Sequence, residues 1–257
     1  MAGSSGQGPL LGASSTRAPH PLAQRLGRVL RLTAEERHAV EAVSVRQLDA
    51  AADEVILREG DRPARCVMVL DGLTCLSKVV GTGARQIVAV HVPGDVPDLH
   101  GLHLGHLDGD LWAVAPSRLA VLDHAALRHL CERQPRVAAA LWHLTLVEAA
   151  IQREWTVNLG QRPAVQRLAH LFCEVLARME AVGLARDDAC AFPVTQVDLA
   201  EATGLSGVHL NRSLQDLRQE GLLSFEAGRL TVHDRTGLAE RGDFDPDYLH
   251  LGVGRWG

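Results

Sequence analysis

Between Phe192 and His233 the sequence FPVTQVDLAEATGLSGVHLNRSLQDLRQEGLLSFEAGRLTVH leaves few folds open. Thr195 is a good helix N-cap, and Asp198 three residues later completes a T-x-x-D capping box. Val197, Leu199 and Ala200 are expected to face inward on the short helix that follows. Gly204 sits where the chain must turn sharply, a place for a residue free to take positive φ. Ser206 then caps a second helix, on which Leu210, Leu214 and Leu217 form a buried i, i+4, i+7 stripe. Val208, His209, Asn211, Arg212, Gln215 and Arg218 are left facing outward, and Gly221 ends the helix. Leu222–Phe225 and Leu230–Val232, joined through Ala227-Gly228, make a two-stranded wing. A short helix, a glycine turn and a helix with a polar outer face fit the major groove of double-stranded DNA. A helical hairpin used only for packing shares this spacing but gives no reason for the wing.

Charge restricts how such a surface can work. The chain carries a formal charge of −5, so no global attraction to nucleic acid is expected. From Gly160 onward there are ten arginines against fourteen acidic residues. Phosphate contacts must come from local donors, for which Arg212, Arg218 and Arg229 are the candidates. With Ser206 as cap, Val208, His209, Asn211 and Arg212 occupy the first turn and a half, the part of such a helix that meets base edges.

Upstream the texture differs. From about Glu54 to Asp123, short apolar runs alternate with Gly/Asp turns, and Gly60, Gly72, Gly83 and Gly94 lie eleven or twelve apart. This punctuation predicts a small β-barrel or sandwich. Residues Leu22 to Gln47 carry a helical pattern, with Thr33 and Glu36 at capping-box spacing. After Pro135 a helix of about six turns is expected, with Leu141, Leu144, Glu148, Ile151, Trp155 and Asn158 at three- and four-residue steps. Leu141, Leu144, Ile151 and Trp155 are read as a homodimer seam; a helix packed on its own domain satisfies the same spacing. Gly160-Gln161-Arg162-Pro163 breaks it, and a second amphipathic helix follows from Val165 to Met179. The expected division is 1–20 a flexible tail, 21–131 a sensor domain, 132–159 the dimerisation helix, 160–236 the winged helix-turn-helix and 237–257 a C-terminal tail. Five scattered cysteines without a C-x-x-C suggest reduced thiols and a cytoplasmic protein. No apolar run approaches the ~18 residues of a membrane span.

In the order of these parts the chain resembles the Crp/Fnr family of bacterial regulators over roughly residues 22–235. VILREGDRPARCVMVLDGLTCL looks like the opening strands of that family's cyclic-nucleotide-binding β-roll, and VTQVDLAEATGLSGVHLNRSLQDLRQEGLLS is similar to its helix-turn-helix nearly position for position. The resemblance implies an α+β fold: a β-roll sensor, a long dimerising helix and a C-terminal winged helix-turn-helix that binds palindromic promoter sites. RNA polymerase becomes a possible further partner. It also implies that Arg212, at the end of the recognition motif, contacts a guanine; the acidic residue common before it is Val208 here. Nucleotide-binding members carry a glycine-glutamate-leucine turn and an arginine for the cyclic phosphate. This chain offers Asp98-Leu99 and Asp110-Leu111, with no arginine between Arg85 and Arg118. Two acids near an anionic phosphate would repel it, so cyclic nucleotides are not expected to bind.

No cofactor is expected on this reading. The alternative is a transition metal or haem at His100, His103 and His106, whose steps of three would keep them on neighbouring faces of a short helix. A solvated polar turn explains the same three residues. A small-molecule or metal sensor that signals only through protein contacts is the competing function. An enzyme is not expected, since no nucleophile elbow, H-E-x-x-H or phosphate loop is present.

Overall fold

The computed structural model describes residues 20–251. The expected tail at 1–20 therefore falls almost wholly outside the described residues. Helix α1 (Pro21–Gly27) and helix α2 (Ala34–Glu41) come first. Thr33 and Glu36 form the full capping box, each side chain bonded to the other's backbone N–H. The helical pattern expected to reach Gln47 stops earlier, because Val45–Ala50 is a strand, β1.

Six further strands follow: β2 (Val55–Leu57), β3 (Arg65–Asp71), β4 (Thr74–Val79), β5 (Arg85–His91), β6 (Asp110–Ala113) and β7 (Ser117–Asp123). They form two antiparallel sheets, ordered β1-β7-β3 and β2-β6-β4-β5. Small aliphatic side chains fill the space between the sheets: Ala50, Val69, Ala113 and Leu119 in one layer, Val67, Leu111 and Val121 in the next. With few aromatics available, the β-roll closes on such residues. A four-residue helix, α3 (Gly101–Leu104), interrupts the link from β5 to β6.

Helix α4 (His124–Arg133) begins at Asp123, whose carboxylate accepts the N–H groups of Ala125 and Ala126. Helix α5 (Pro135–Gln161) runs 27 residues, about 40 Å. It continues through Gly160 and Gln161 and ends at Arg162, where the backbone becomes extended. Helix α6 (Ala164–Ala181) is the floor of the C-terminal half. The stretch after it is a hairpin of β8 (Ala185–Arg186) and β9 (Ala189–Ala191), turning at Asp187 and Asp188, both at positive φ. Then come α7 (Gln196–Thr203), α8 (Gly207–Gln219), β10 (Leu223–Glu226) and β11 (Arg229–Val232). The wing is larger than two strands, since β11 pairs with β9 in a sheet ordered β10-β11-β9-β8. Of the segment expected to be a C-terminal tail, the described residues, up to 251, form α9 (Arg235–Gly242) and a 3-10 turn (Pro246–Leu249), and the rest lies outside the described residues. Both pack on α6, where Gly242 lies so close to Ala169 and His170 that a side chain there has no room.

One continuous core joins the two halves. It runs from Cys75, Ile87, Val90 and Trp112 of the β-roll, past Ile151 and Trp155 of α5, to Phe172, Leu199, Leu214 and Phe225 of the C-terminal half. Phe172, Phe192 and Phe225 meet there in tilted and edge-on contacts, with ring centres 5.4–6.3 Å apart.

Candidate DNA-binding surface

The helix-turn-helix is built from local bonds its own sequence supplies. Thr195 accepts the Asp198 N–H at 3.1 Å, and Asp198 accepts the Thr195 N–H at 2.8 Å. Gly204 takes φ +62, and a side chain there would crowd Leu159 and Arg167. Ser206 accepts the His209 N–H and holds its Nδ1 at 3.0 Å. Leu210, Ser213, Leu214 and Leu217 point into the core. At the far end of α8, Leu222 N–H bonds to Leu217 carbonyl and Gly221 N–H to Arg218 carbonyl, closing the helix.

This leaves an exposed face on α8: Ser206, Val208, His209, Asn211, Arg212, Gln215 and Arg218 are all open, Val208 at 80%. They are not equivalent. Asn211 Nδ2 donates to the Gly207 carbonyl at 3.0 Å, and Arg218 donates to the Phe225 carbonyl at 2.5 Å, tying the helix to the wing. Arg212 makes no such bond with the described residues, so its guanidinium is available to a ligand. Arg229 opens β11 on the exposed side of the wing. Val197, expected to face inward, is 62% exposed on α7. Asp198 occupies the inward position in its place because its carboxylate is needed for the cap.

Sequence reasoning missed what holds this unit against the β-roll. Arg85, at the start of β5, donates to Glu201 at 2.6 Å and lies 3.3 Å from Asp198, while its guanidinium sits 4.2 Å above the Trp112 ring. Gln86 bonds to the Glu201 carbonyl. Deeper in, Arg178 of α6 bonds to Asp95 at 2.7 Å and to Glu174 at 3.1 Å. Burial alone would raise the Asp95 carboxyl, but Arg178, Arg25 and His91 hold it below the usual carboxylate range.

Two expected clusters are corrected. Leu141, Leu144, Ile151 and Trp155 are 4–9% exposed within a single chain, covered by the β-roll core or by α6. They are the inward stripe of α5 and present no face to a second copy. Trp155 Nε1 donates to the buried Glu174 carboxylate. His100, His103 and His106 do not converge, and no metal-holding group of side chains occurs among the described residues. Gly105 at φ +77 ends α3 after one turn, so His106 leaves the face that His100 and His103 would share. The two acids thought to flank a nucleotide phosphate are also structural. Asp98 is buried and accepts the Val67 N–H at 2.8 Å, and Asp110 accepts the Glu59 N–H at 2.8 Å.

Comparison with known proteins matches this architecture in both halves. The model of the cyclic nucleotide-binding domain matches residues 47–134, and that of the Crp-like helix-turn-helix domain matches residues 166–241. The chain belongs to the Crp/Fnr family. Among Crp/Fnr relatives, the transcriptional activator protein FnrL of Cereibacter sphaeroides is 24% identical over 200 residues, 76% of this chain and 80% of that one. The nitrogen fixation regulation protein FixK of Azorhizobium caulinodans is 25% identical over 177 residues, 66% and 68% of the two chains. The solved structure of FixK2 from Bradyrhizobium japonicum superposes with a TM-score of 0.69 at 26% identity, covering 77% of this chain and 97% of that one. As in that family, the chain is a DNA-binding regulator of transcription and not an enzyme. Among the described residues no helix is long and apolar enough to cross a membrane.

Proposed function

We propose that this protein acts in the cytoplasm as a homodimer that places α8 of each copy in the major groove of a two-fold promoter site. The observation that carries this reading is the open polar face of α8, with Arg212 unpaired among the described residues and its neighbours fixed by caps. Arg212 can donate two hydrogen bonds to guanine O6 and N7, worth about 1–3 kcal/mol of discrimination. Val208 offers only apolar contact, as to a thymine methyl. Asn211 must release its bond to Gly207 before it can read a base. Arg229 meets phosphate, and RNA polymerase is the partner an activator of this kind would contact. Residues 20–134 then form the sensor, α5 the connecting helix and 162–251 the DNA-binding half.

The experiment is binding of the purified protein to operator variants that differ by single bases, after selection of bound genomic fragments. Arg212→Ala should flatten the preference at one symmetric base position. Arg229→Ala should lower affinity evenly and reduce the salt slope by about one. A preference profile unchanged by Arg212→Ala would remove α8 as the reading helix.

The dimer in this reading uses the other side of α5. Trp142, Leu146 and Val157 are 67%, 49% and 44% exposed; Trp142, Leu146 and Ala149 follow four- and three-residue steps, and Val157 lies two turns further along the same face. Pairing this stripe with its copy buries area that otherwise stays wet. The sensor is read as one that does not take cyclic nucleotides, since the segment between Arg85 and Arg118 has no arginine or lysine to neutralise a cyclic phosphate. Cyclic AMP and cyclic GMP should give no calorimetric heat at physiological levels; micromolar binding of either would overturn this.

A further inference from the structure

A cavity of about 150 Å³ lies where the two halves meet. Its walls come from α1, from β5 and the loop after it, from α5, from the end of α6 and from Leu249–Leu251. It is therefore not the interior of the β-roll. Of the segment that offers the two Asp-Leu pairs it touches only Asp95, Val96 and Leu99. Arg25, Arg28 and Val182 converge on one point of its rim. A Cβ placed on Gly94 would lie 3.7 Å from Arg25 Cδ, 3.9 Å from an Arg28 terminal nitrogen and 3.9 Å from Val182 Cγ1.

We propose that this cavity binds a small carboxylate with an apolar body, held by Arg25 and Arg28 and bridging α1 to α6. The charge balance around it is incomplete. Arg178 takes the near oxygen of Asp95 and is also satisfied by Glu174. Arg25 is left with the other Asp95 oxygen at 3.7 Å, and its buried Nε has no partner. Arg28 has no acidic partner among the described residues. Burial, and the neighbouring Arg28 and Arg178 guanidiniums, lower the pKa of Arg25 against the pull of Asp95. Glu148 does not relieve this, because it is bonded to His91, itself 3% exposed with an unpartnered Nδ1. An incoming anion would meet two under-neutralised guanidiniums, whereas a cation would be repelled. Val29, Leu144, Ile151 and Val182 make the rest of the wall apolar, which suits an organic anion better than inorganic phosphate. The volume matches a cavity that admits one benzene ring, so the apolar body is limited to about six non-hydrogen atoms.

Binding at this site does not depend on the DNA-binding reading; only its effect on promoter affinity does. The test is calorimetry on the full chain with benzoate and isovalerate, against benzyl alcohol and inorganic phosphate. Expected is one benzoate or isovalerate site per chain with Kd below about 1 mM, and at least about tenfold weaker binding of benzyl alcohol and phosphate. Arg28→Met and, separately, Val182→Trp should each weaken the carboxylate about tenfold or more while the circular dichroism spectrum is kept. Either variant alone suffices if the other does not fold. Absence of binding by both carboxylates up to about 10 mM would overturn the proposal. So would phosphate binding more tightly than benzoate, or affinity unchanged in the folded variants. Operator affinity measured in parallel should change at least about threefold on saturation. A bound carboxylate with unchanged operator affinity overturns the bridge, and failure of DNA binding both with and without bound carboxylate bears on the DNA reading alone.

Discussion

Asp98 shows how a residue that reads as a surface acid becomes part of the frame. Its carboxyl is 2% exposed; Oδ1 accepts the Val67 N–H and Oδ2 has no partner among the described residues. Burial pushes it up to about 7, opposed by the Val67 N–H bond and assisted by the Glu148 charge. An unfolded aspartate titrates near ~3.9, so the folded state holds this proton more tightly. Its contribution to stability is present below about pH 4 and is lost as the pH rises toward 7, at up to about 1.4 kcal/mol per pH unit. Asp98→Asn keeps an acceptor for Val67 and removes the titration. In urea unfolding, the stability of the asparagine variant relative to the natural chain should grow by about 2 kcal/mol between pH 5 and pH 7. A gap independent of pH would mean that water reaches this carboxyl. Burial likewise raises the Cys66 and Cys75 thiols and pushes Cys173 up to about 12, so these cysteines sit in the core as thiols with little thiolate character.

At the scale of elements, α5 carries two stripes, and they should fail differently. Trp142→Glu with Leu146→Glu places charges on the exposed side and should leave a folded monomer in sedimentation at micromolar concentration. Leu144→Glu with Ile151→Glu buries two unpaired carboxylates beneath the β-roll and α6, and should unfold the chain instead. A folded monomer from the second pair would restore the inward stripe as the dimer seam. Periodicity made α5 legible but could not say which neighbour each stripe meets, because an apolar step pattern names no partner. The helix-turn-helix was legible down to its caps, since Thr195, Asp198, Gly204 and Ser206 act on backbone within four residues of themselves. Strand β1 was not, because VRQLDA has one buried residue and no alternation; its strand is made by pairing with β7, seventy residues away in sequence. The β8–β9 hairpin hid behind Asp187-Asp188, an unusual pair for two positive-φ turn positions, and α9 behind a charged sequence that buries only Leu238 and Gly242. The histidine cluster failed for a local reason that was visible: Gly105 stands between His103 and His106.

Across the whole molecule the question is whether the β-roll and the DNA-binding half behave as one body. They share a continuous apolar core and two polar junctions of different character. At the outer one, the Arg85 side chain is 33% exposed, so its bonds to Asp198 and Glu201 are screened by solvent. Arg85→Ala should cost no more than about 1 kcal/mol. At the inner one, Arg178 and Asp95 are 9% and 18% exposed, and each lies on a different half. Burial opposes the charge on both, yet the pairing keeps Arg178 above and Asp95 below their ordinary pKa values. Arg178→Met removes one partner and leaves Asp95 with the Val92 N–H at 2.9 Å and Arg25 at 3.7 Å, while Glu174 keeps the Trp155 and Tyr248 donors. The expected cost is about 3–5 kcal/mol, most of it the desolvated charge that remains. Asp95→Asn combined with Arg178→Met removes that charge and should recover at least half of the loss. Denaturant unfolding of the single and double variants, followed by tryptophan fluorescence and by far-ultraviolet circular dichroism, measures both quantities. The two probes should coincide in the natural chain, because Trp112 and Trp155 report the shared core. If Arg178→Met costs less than about 1 kcal/mol, the junction is already open to water and the halves move independently, which would also deprive the cavity beside it of its second wall.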